Sequence, residues 1–215
     1  ENTVASAGSV DVELSREETQ ALLQEVPKAY HTQIQEVLTT ALTLVLREWT
    51  GTDKLLVDME GHGREEVVAG VDVSRTVGWF TSVYPVQLKL AGVEIGAALK
   101  SIKEQLRGVP ERGIGYGVWK YLKADEAERA RLGAMAEAEV SFNYLGQFDQ
   151  VLSGGEFRAA AESTGAAQSL ENKRPHLLVI NGMIGEGQLR MSWGYSETVH
   201  RRETIEQVAE QFAEA

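Results

Sequence analysis

Hydrophobic and polar positions alternate along Val10-Asp11-Val12-Glu13-Leu14 with the period of two expected of a half-buried strand. Ser15 then opens a helix, and Glu18 three residues on completes a capping box. This helix is expected to run to about Glu25, because the residue before Pro27 avoids helical backbone. Thr32 and Gln35 form a second capping box. Behind it Ile34, Val37, Leu38, Ala41, Leu42, Val45, Leu46 and Trp49 recur at helical spacing, and Gly51 stands where a helix-ending glycine belongs. So full an apolar stripe predicts a core helix.

Lys54 to Glu60 reads as a strand that delivers its last residues into the turn Gly61-His62-Gly63. Ser82 to Leu90 reads as another, with Pro85 marking an edge, a bulge or an irregular start. Helical spacing returns from Val93 to Leu106 through Ile95, Leu99 and Ile102. Pro110 to Gly117 reads as loop, a charged helix is expected over about Asp125 to Ala138, and Val140 to Leu145 reads as strand. Ser153-Gly154-Gly155 and the small-polar run Ala159 to Ser169 read as loops. His176 to Ile184 and Gln188 to Tyr195 pair as a hairpin across Gly185-Glu186-Gly187. A last helix, about Arg201 to Ala213, buries Ile205, Val208, Ala209 and Phe212. This irregular interleaving predicts an α/β fold, a sandwich with a mixed sheet rather than a strict βαβ repeat.

Composition narrows the function classes. With 43% hydrophobic and 25% charged residues, the 215-residue chain can bury a core of its own. No apolar run approaches the roughly 20 residues of a membrane helix. The net charge of −11 comes with no basic stripe, so neither nucleic acid nor a membrane is an expected partner. The absence of cysteine removes disulfides, thiolate catalysis and Cys-bound zinc, and it fits a reducing compartment. His31, His62, His176 and His200 never fall at ligand spacing, so no metal site is expected. The chain opens on Glu1-Asn2-Thr3 and its methionines are Met59, Met135, Met183 and Met191. The expectation is an excised piece of a longer polypeptide.

Chemistry concentrates in a few places. Glu60-Gly61-His62-Gly63-Arg64-Glu65 gathers two carboxylates, an imidazole and a guanidinium at a strand end, where a carboxylate can be held rigidly for proton transfer. The plainer alternative is that Glu60 pairs with Arg64 and the glycines make a turn. Arg75 to Pro85 carries Trp79, Phe80 and Tyr84, aromatics for a pocket wall or simply for the core, and Thr81 and Ser82, which could orient a ligand. Gly113-Ile114-Gly115-Tyr116-Gly117 fits neither the dinucleotide nor the P-loop pattern and reads as a turn needing positive φ or close backbone approach. Phe142-Asn143-Tyr144-Leu145-Gly146-Gln147 brings an amide and a phenol onto a strand.

Taken together and in order, these four segments resemble successive signatures of the epimerization domains of nonribosomal peptide synthetases, relatives of the condensation domains. The resemblance runs from about Val10 to the last helix. The family's other catalytic signature, His-His-x-x-x-Asp-Gly, belongs to an N-terminal lobe, and no adjacent histidine pair occurs in this sequence. The resemblance therefore implies the C-terminal lobe alone, one half of a chloramphenicol-acetyltransferase-like pair with the active site between the halves. Gln35-Glu36-Val37-Leu38 departs from the aspartate and Leu-Leu pair more common there, on a helix rather than in the cleft.

The resemblance also implies chemistry. The substrate is an aminoacyl or peptidyl thioester on the 4'-phosphopantetheine arm of a peptidyl carrier protein, with no cofactor bound by this lobe, in a cytoplasmic assembly line. The α-proton is removed on one face and returned on the other. Glu60 is implied as the carboxylate that faces the histidine lobe, with Asn143 and Tyr144 positioning the thioester or its enolate oxygen. His62, Arg64, Trp79 and Tyr84 are implied on the substrate-binding side, Arg64 alternatively as a loop anchor. The rival readings are a condensation-domain lobe that forms peptide bonds and a non-catalytic module that docks carrier proteins.

Overall fold

The computed structural model describes residues 1–148, 162 and 165–215. Six strands form one mixed sheet: β1 (Ala7–Glu13), β2 (Lys54–Gly61), β3 (Ser82–Lys89), β4 (Val140–Gln147), β5 (Leu178–Gly185) and β6 (Gln188–Ser196), in the order β1-β6-β5-β4-β2-β3. β4 runs parallel to both β2 and β5, and the remaining pairs are antiparallel. This is the α/β mixed-sheet fold that the interleaved pattern predicts. β3 is an edge strand, which is how Pro85 is tolerated in it. The β5–β6 turn closes on Glu186 and Gly187, both at positive φ.

Helices α1 (Arg16–Tyr30), α2 (Ile34–Thr50), α3 (Ile95–Arg107) and α6 (Arg202–Glu214) gather on one face of the sheet. Strand residues alternate accordingly. Val57, Met59, Phe142, Ile180, Met191 and Trp193 are buried with Leu42, Leu46 and Ile102 of the helices, and their strand neighbours turn to the opposite face. Two shorter helices, α4 (Ile114–Val118) and α5 (Glu126–Gly133), lie between α3 and β4.

Four expectations are corrected. α1 continues through Pro27 to Tyr30, because its last carbonyls find tertiary donors: Lys103 Nζ to Tyr30 O at 3.1 Å and Arg107 Nη2 to His31 O at 2.7 Å. The cap of α2 sits one residue later than Thr32, where the Gln33 N–H donates to Glu36 Oε2 at 2.8 Å while Arg107 holds the same carboxylate. The stretch from Pro110 to Gly117 is a tight turn followed by α4, not loop, because α4 packs on β3 and tertiary contact outweighs its glycines. The charged helix ends at Gly133 rather than Ala138, since it buries no residue and has only local bonds to sustain it. Ser153-Gly154-Gly155 and the first part of the run from Ala159 to Ser169 lie outside the described residues.

Candidate active site

β2 and β4 run side by side in the same direction, and Met59 is in register with Phe142. Both of these side chains are fully buried beneath the helices, so the next residues, Glu60 and Asn143, fall on the opposite face as neighbours. Asn143 Nδ2 donates to Glu60 Oε2 at 2.9 Å. Burial pushes the Glu60 carboxyl above the usual carboxylate range, and the charge of His176 partly opposes this. His176 Nε2 lies 2.8 Å from Oδ2 of Asp58, two residues before Glu60 on the same strand face. The strand alternation thus delivers a carboxylate whose burial favours holding a proton and whose Oε2 is fixed by the Asn143 amide.

Glu60 lines a cavity of ≈ 370 Å³ at the carboxyl ends of β2 and β4, together with His62, Tyr84, Asn143 and Tyr144. Of the residues singled out in the sequence, these five come together, and Thr81 and Glu65 line the same cavity. Burial pushes the Tyr144 phenol up to about 12, so it remains a neutral donor, and among the described residues its buried hydroxyl has no hydrogen-bond partner. Tyr144→Phe should therefore change thermal stability by less than about 1 kcal/mol, because no internal bond is lost. A thermal melt showing a larger drop would contradict this. His62 Nδ1 accepts the Arg64 backbone N–H at 3.0 Å, and its Nε2 lies 3.2 Å from Glu65 Oε1.

Arg64 and Trp79 are placed elsewhere. The Arg64 guanidinium stacks over the Phe80 ring, 4.3 Å from its centroid, and donates to the carbonyls of Val73 and Gly78. It ties the two motifs of the β2–β3 connection together and does not face the cavity. Gly63 closes the same contact at φ 65, where a Cβ would lie 1.5 Å from the Phe80 carbonyl oxygen. Trp79 is 91% exposed and stands apart from Glu60.

Gln35, read from the sequence as a capping residue, and Arg112, to which the sequence assigns no role, also line the cavity. Arg112 follows Glu111, and both have left-handed backbone, at φ 49 and φ 44. Each such non-glycine residue costs about 1–2 kcal/mol. The ion pair from Arg112 Nε to Glu65 Oε2 spans 3.9 Å with the arginine side chain 65% exposed. An exposed pair of this kind offsets at most about 1 kcal/mol. The pair alone therefore does not offset the strain of the turn, which packs against Tyr84 through Gly113.

Comparison with known proteins bears on this geometry. The model of the condensation domain matches residues 2–215. The chain belongs to the condensation-domain family. It is 48% identical to a linear gramicidin synthase polypeptide of Brevibacillus parabrevis over all of its length and 3% of that protein's. It is 44% identical to chondramide synthase cmdD of Chondromyces crocatus over 99% of this chain and 5% of that one. Among solved structures, the epimerization domain from the third module of tyrocidine synthetase B superposes with a TM-score of 0.89 at 37% identity, over 99% of this chain and 47% of that chain. The first condensation domain of the CDA synthetase shares the fold alone, at TM-score 0.61 and 17% identity over 97% of this chain and 46% of that one. This condensation-family chain thus spans a few per cent of the length of its synthase relatives and about half of the epimerization domain. Among the described residues, no helix is long and apolar enough to cross a membrane.

Proposed function

We propose that the chain is the C-terminal lobe of an epimerization domain that equilibrates the L and D forms of a thioester-bound aminoacyl or peptidyl group. The thioester is carried on the phosphopantetheine arm of a peptidyl carrier protein. The observation that carries this reading is Glu60, half-buried, raised in pKa, fixed by Asn143 and open to a cavity. A peptide-bond-forming site has no evident need of a strand-end carboxylate poised this way, whereas α-proton transfer does.

In this reading the Glu60 carboxylate takes the α-proton, and the C–H bonding pair passes into the thioester as an enolate. The neutral Tyr144 hydroxyl and the Asn143 amide offer hydrogen bonds to the developing oxyanion. An acid from the N-terminal lobe returns a proton to the opposite face of the carbon. Reversal uses the same groups in exchanged roles.

The condensation reading keeps one support, the family model that matches nearly the whole chain. A single experiment separates the two. A polypeptide carrying both lobes is given a carrier-bound aminoacyl or peptidyl thioester in deuterium oxide, with and without an acceptor on a second carrier. Deuterium at the α-carbon with mixed stereochemistry supports epimerization. A new peptide bond without exchange supports condensation, and carrier binding with neither supports a docking module.

A further inference from the structure

The ion pair of Asp58 with His176 takes no step in the proton transfer itself. Asp58 lies two residues before Glu60 on β2 and shares its sheet face. His176 stands just ahead of β5 and reaches Asp58 across 118 residues of chain, Nε2 to Oδ2 at 2.8 Å, with the side chains only 14% and 23% exposed. A pair so enclosed adds little net stability, because taking two charges out of water costs about what their attraction returns. Its placement is nevertheless fixed at both ends. Asp58 is built into β2, which is paired by β3 on one side and β4 on the other. Behind His176 the Asn2 side-chain amide donates to the His176 carbonyl at 2.8 Å and to the Arg174 carbonyl at 3.1 Å. The Arg174 N–H returns a bond to the Asn2 carbonyl at 2.9 Å.

Most of the surrounding charges are committed elsewhere. In the Glu60 cavity, Glu65 draws both His62 and Arg112. Lys120, across a cavity of ≈ 450 Å³ that Asp58 lines, lies over the rings of Tyr116 and Tyr121. Arg174 donates to Asn2 Oδ1 at 3.1 Å, and the charge of Glu139 bears on His200. Burial keeps the Tyr84 and Tyr144 phenols neutral. His176 is the cation whose charge bears on Glu60.

Resting on the epimerase reading above, we infer that Asp58 and His176 are positioning residues for Glu60: Asp58 fixes the imidazole, and the imidazole presents a positive charge to the carboxylate that takes the α-proton. A cation beside a carboxylate favours its ionised form, whereas burial favours the protonated one. The two act on Glu60 in opposite directions, so the base stays ionised further into the acid range than burial alone allows. An imidazole carries its charge on the acid side of neutrality. The effect is therefore present where Glu60 titrates and fades as the pH rises past neutrality.

The test follows the loss of α-deuterium from a carrier-bound thioester, catalysed by a two-lobed polypeptide, as a function of pH. His176→Gln is the informative variant, because its amide can still donate to Asp58 while carrying no charge. It should lower kcat by about 3–10-fold near about pH 5 and leave it within about twofold at about pH 8, with KM unchanged. The acid limb of the profile then starts at higher pH. His176→Lys keeps a cation and should keep the wild-type limb. If His176→Gln alone fails to fold, Asp58→Asn combined with His176→Gln replaces the pair by two amides and should show the same displaced limb. A His176→Gln profile that superposes on the wild type would make the pair purely structural and overturn the inference. So would an equal loss at every pH, or a limb that His176→Lys does not restore. A wild type that releases no α-deuterium, or a Glu60→Gln variant that keeps the wild-type acid limb, would instead sink the reading of Glu60 on which the inference rests.

Discussion

Glu60→Gln in a two-lobed polypeptide should lower α-proton exchange of a carrier-bound thioester by about 10²–10⁴-fold, the usual contribution of a positioned acid–base group. The fold should not suffer with it. Glutamine keeps an oxygen to accept from Asn143 Nδ2, so the hydrogen bond at 2.9 Å can persist. Burial raises the Glu60 pKa in the folded state above its ordinary value of 4.5, so folding favours the protonated form. The stabilisation belonging to that preference is fully present below the unfolded pKa and is lost as pH rises through the folded one. At pH 7 the wild type therefore carries a half-buried charge that the variant lacks. The melting temperature of Glu60→Gln should equal or exceed that of the wild type at pH 7, and the difference should shrink as the pH falls below about 4. The wild-type exchange rate should decline on the acid side as Glu60 becomes protonated, and the variant should lack that limb. Exchange within tenfold of the wild type would remove Glu60 from the reaction. A large loss of stability at neutral pH would mean that its role is structural.

The site was legible in the sequence where chemistry followed local pattern. The strand readings of Lys54 to Glu60 and Val140 to Leu145 place Glu60 and Asn143 on strands, but only the parallel register of Met59 with Phe142 makes them neighbours. Arg112 gives no comparable signal, and Gln35 gives only a helix-capping one. Gln35 lies in the first turn of a helix whose apolar stripe commands attention, and nothing in Glu111-Arg112 announces left-handed backbone. The end of α1 shows the same limit. Pro27 is a local stop signal, and donors from Lys103 and Arg107, more than seventy residues away, override it. Arg64 was read as either a ligand contact or a loop anchor. Its separation from Phe80 in sequence hides the stacking that commits it to the loop.

Gly113→Ala should be the most damaging of the glycine substitutions in the 113–117 motif. Gly113 has φ 80, and a Cβ there would lie 2.1 Å from Cγ of Tyr84 and 2.2 Å from Cδ1. Tyr84 is itself buried and paired with Met59 on the neighbouring strand, so it has little room to retreat. The left-handed backbone costs a side-chain-bearing residue about 1–2 kcal/mol and overpacking adds about 1–3, for a loss of roughly 2–5 kcal/mol. For a chain of this length that corresponds to a drop in melting temperature of about 10 °C. Gly115 and Gly117 are the controls, since a Cβ at either meets nothing within 4 Å and neither has positive φ. Alanine there should be neutral, or stabilising by up to about 1 kcal/mol from helix propensity in α4. If all three variants lost stability alike, the cause would be the short helix and not the contact with Tyr84. Tyr84 is shared by the Glu60 cavity and a neighbouring cavity. Displacing its ring moves the wall between them, so on the proposed reading a two-lobed Gly113→Ala protein that folds should bind a carrier-bound thioester more weakly, and the Gly115→Ala and Gly117→Ala proteins should not.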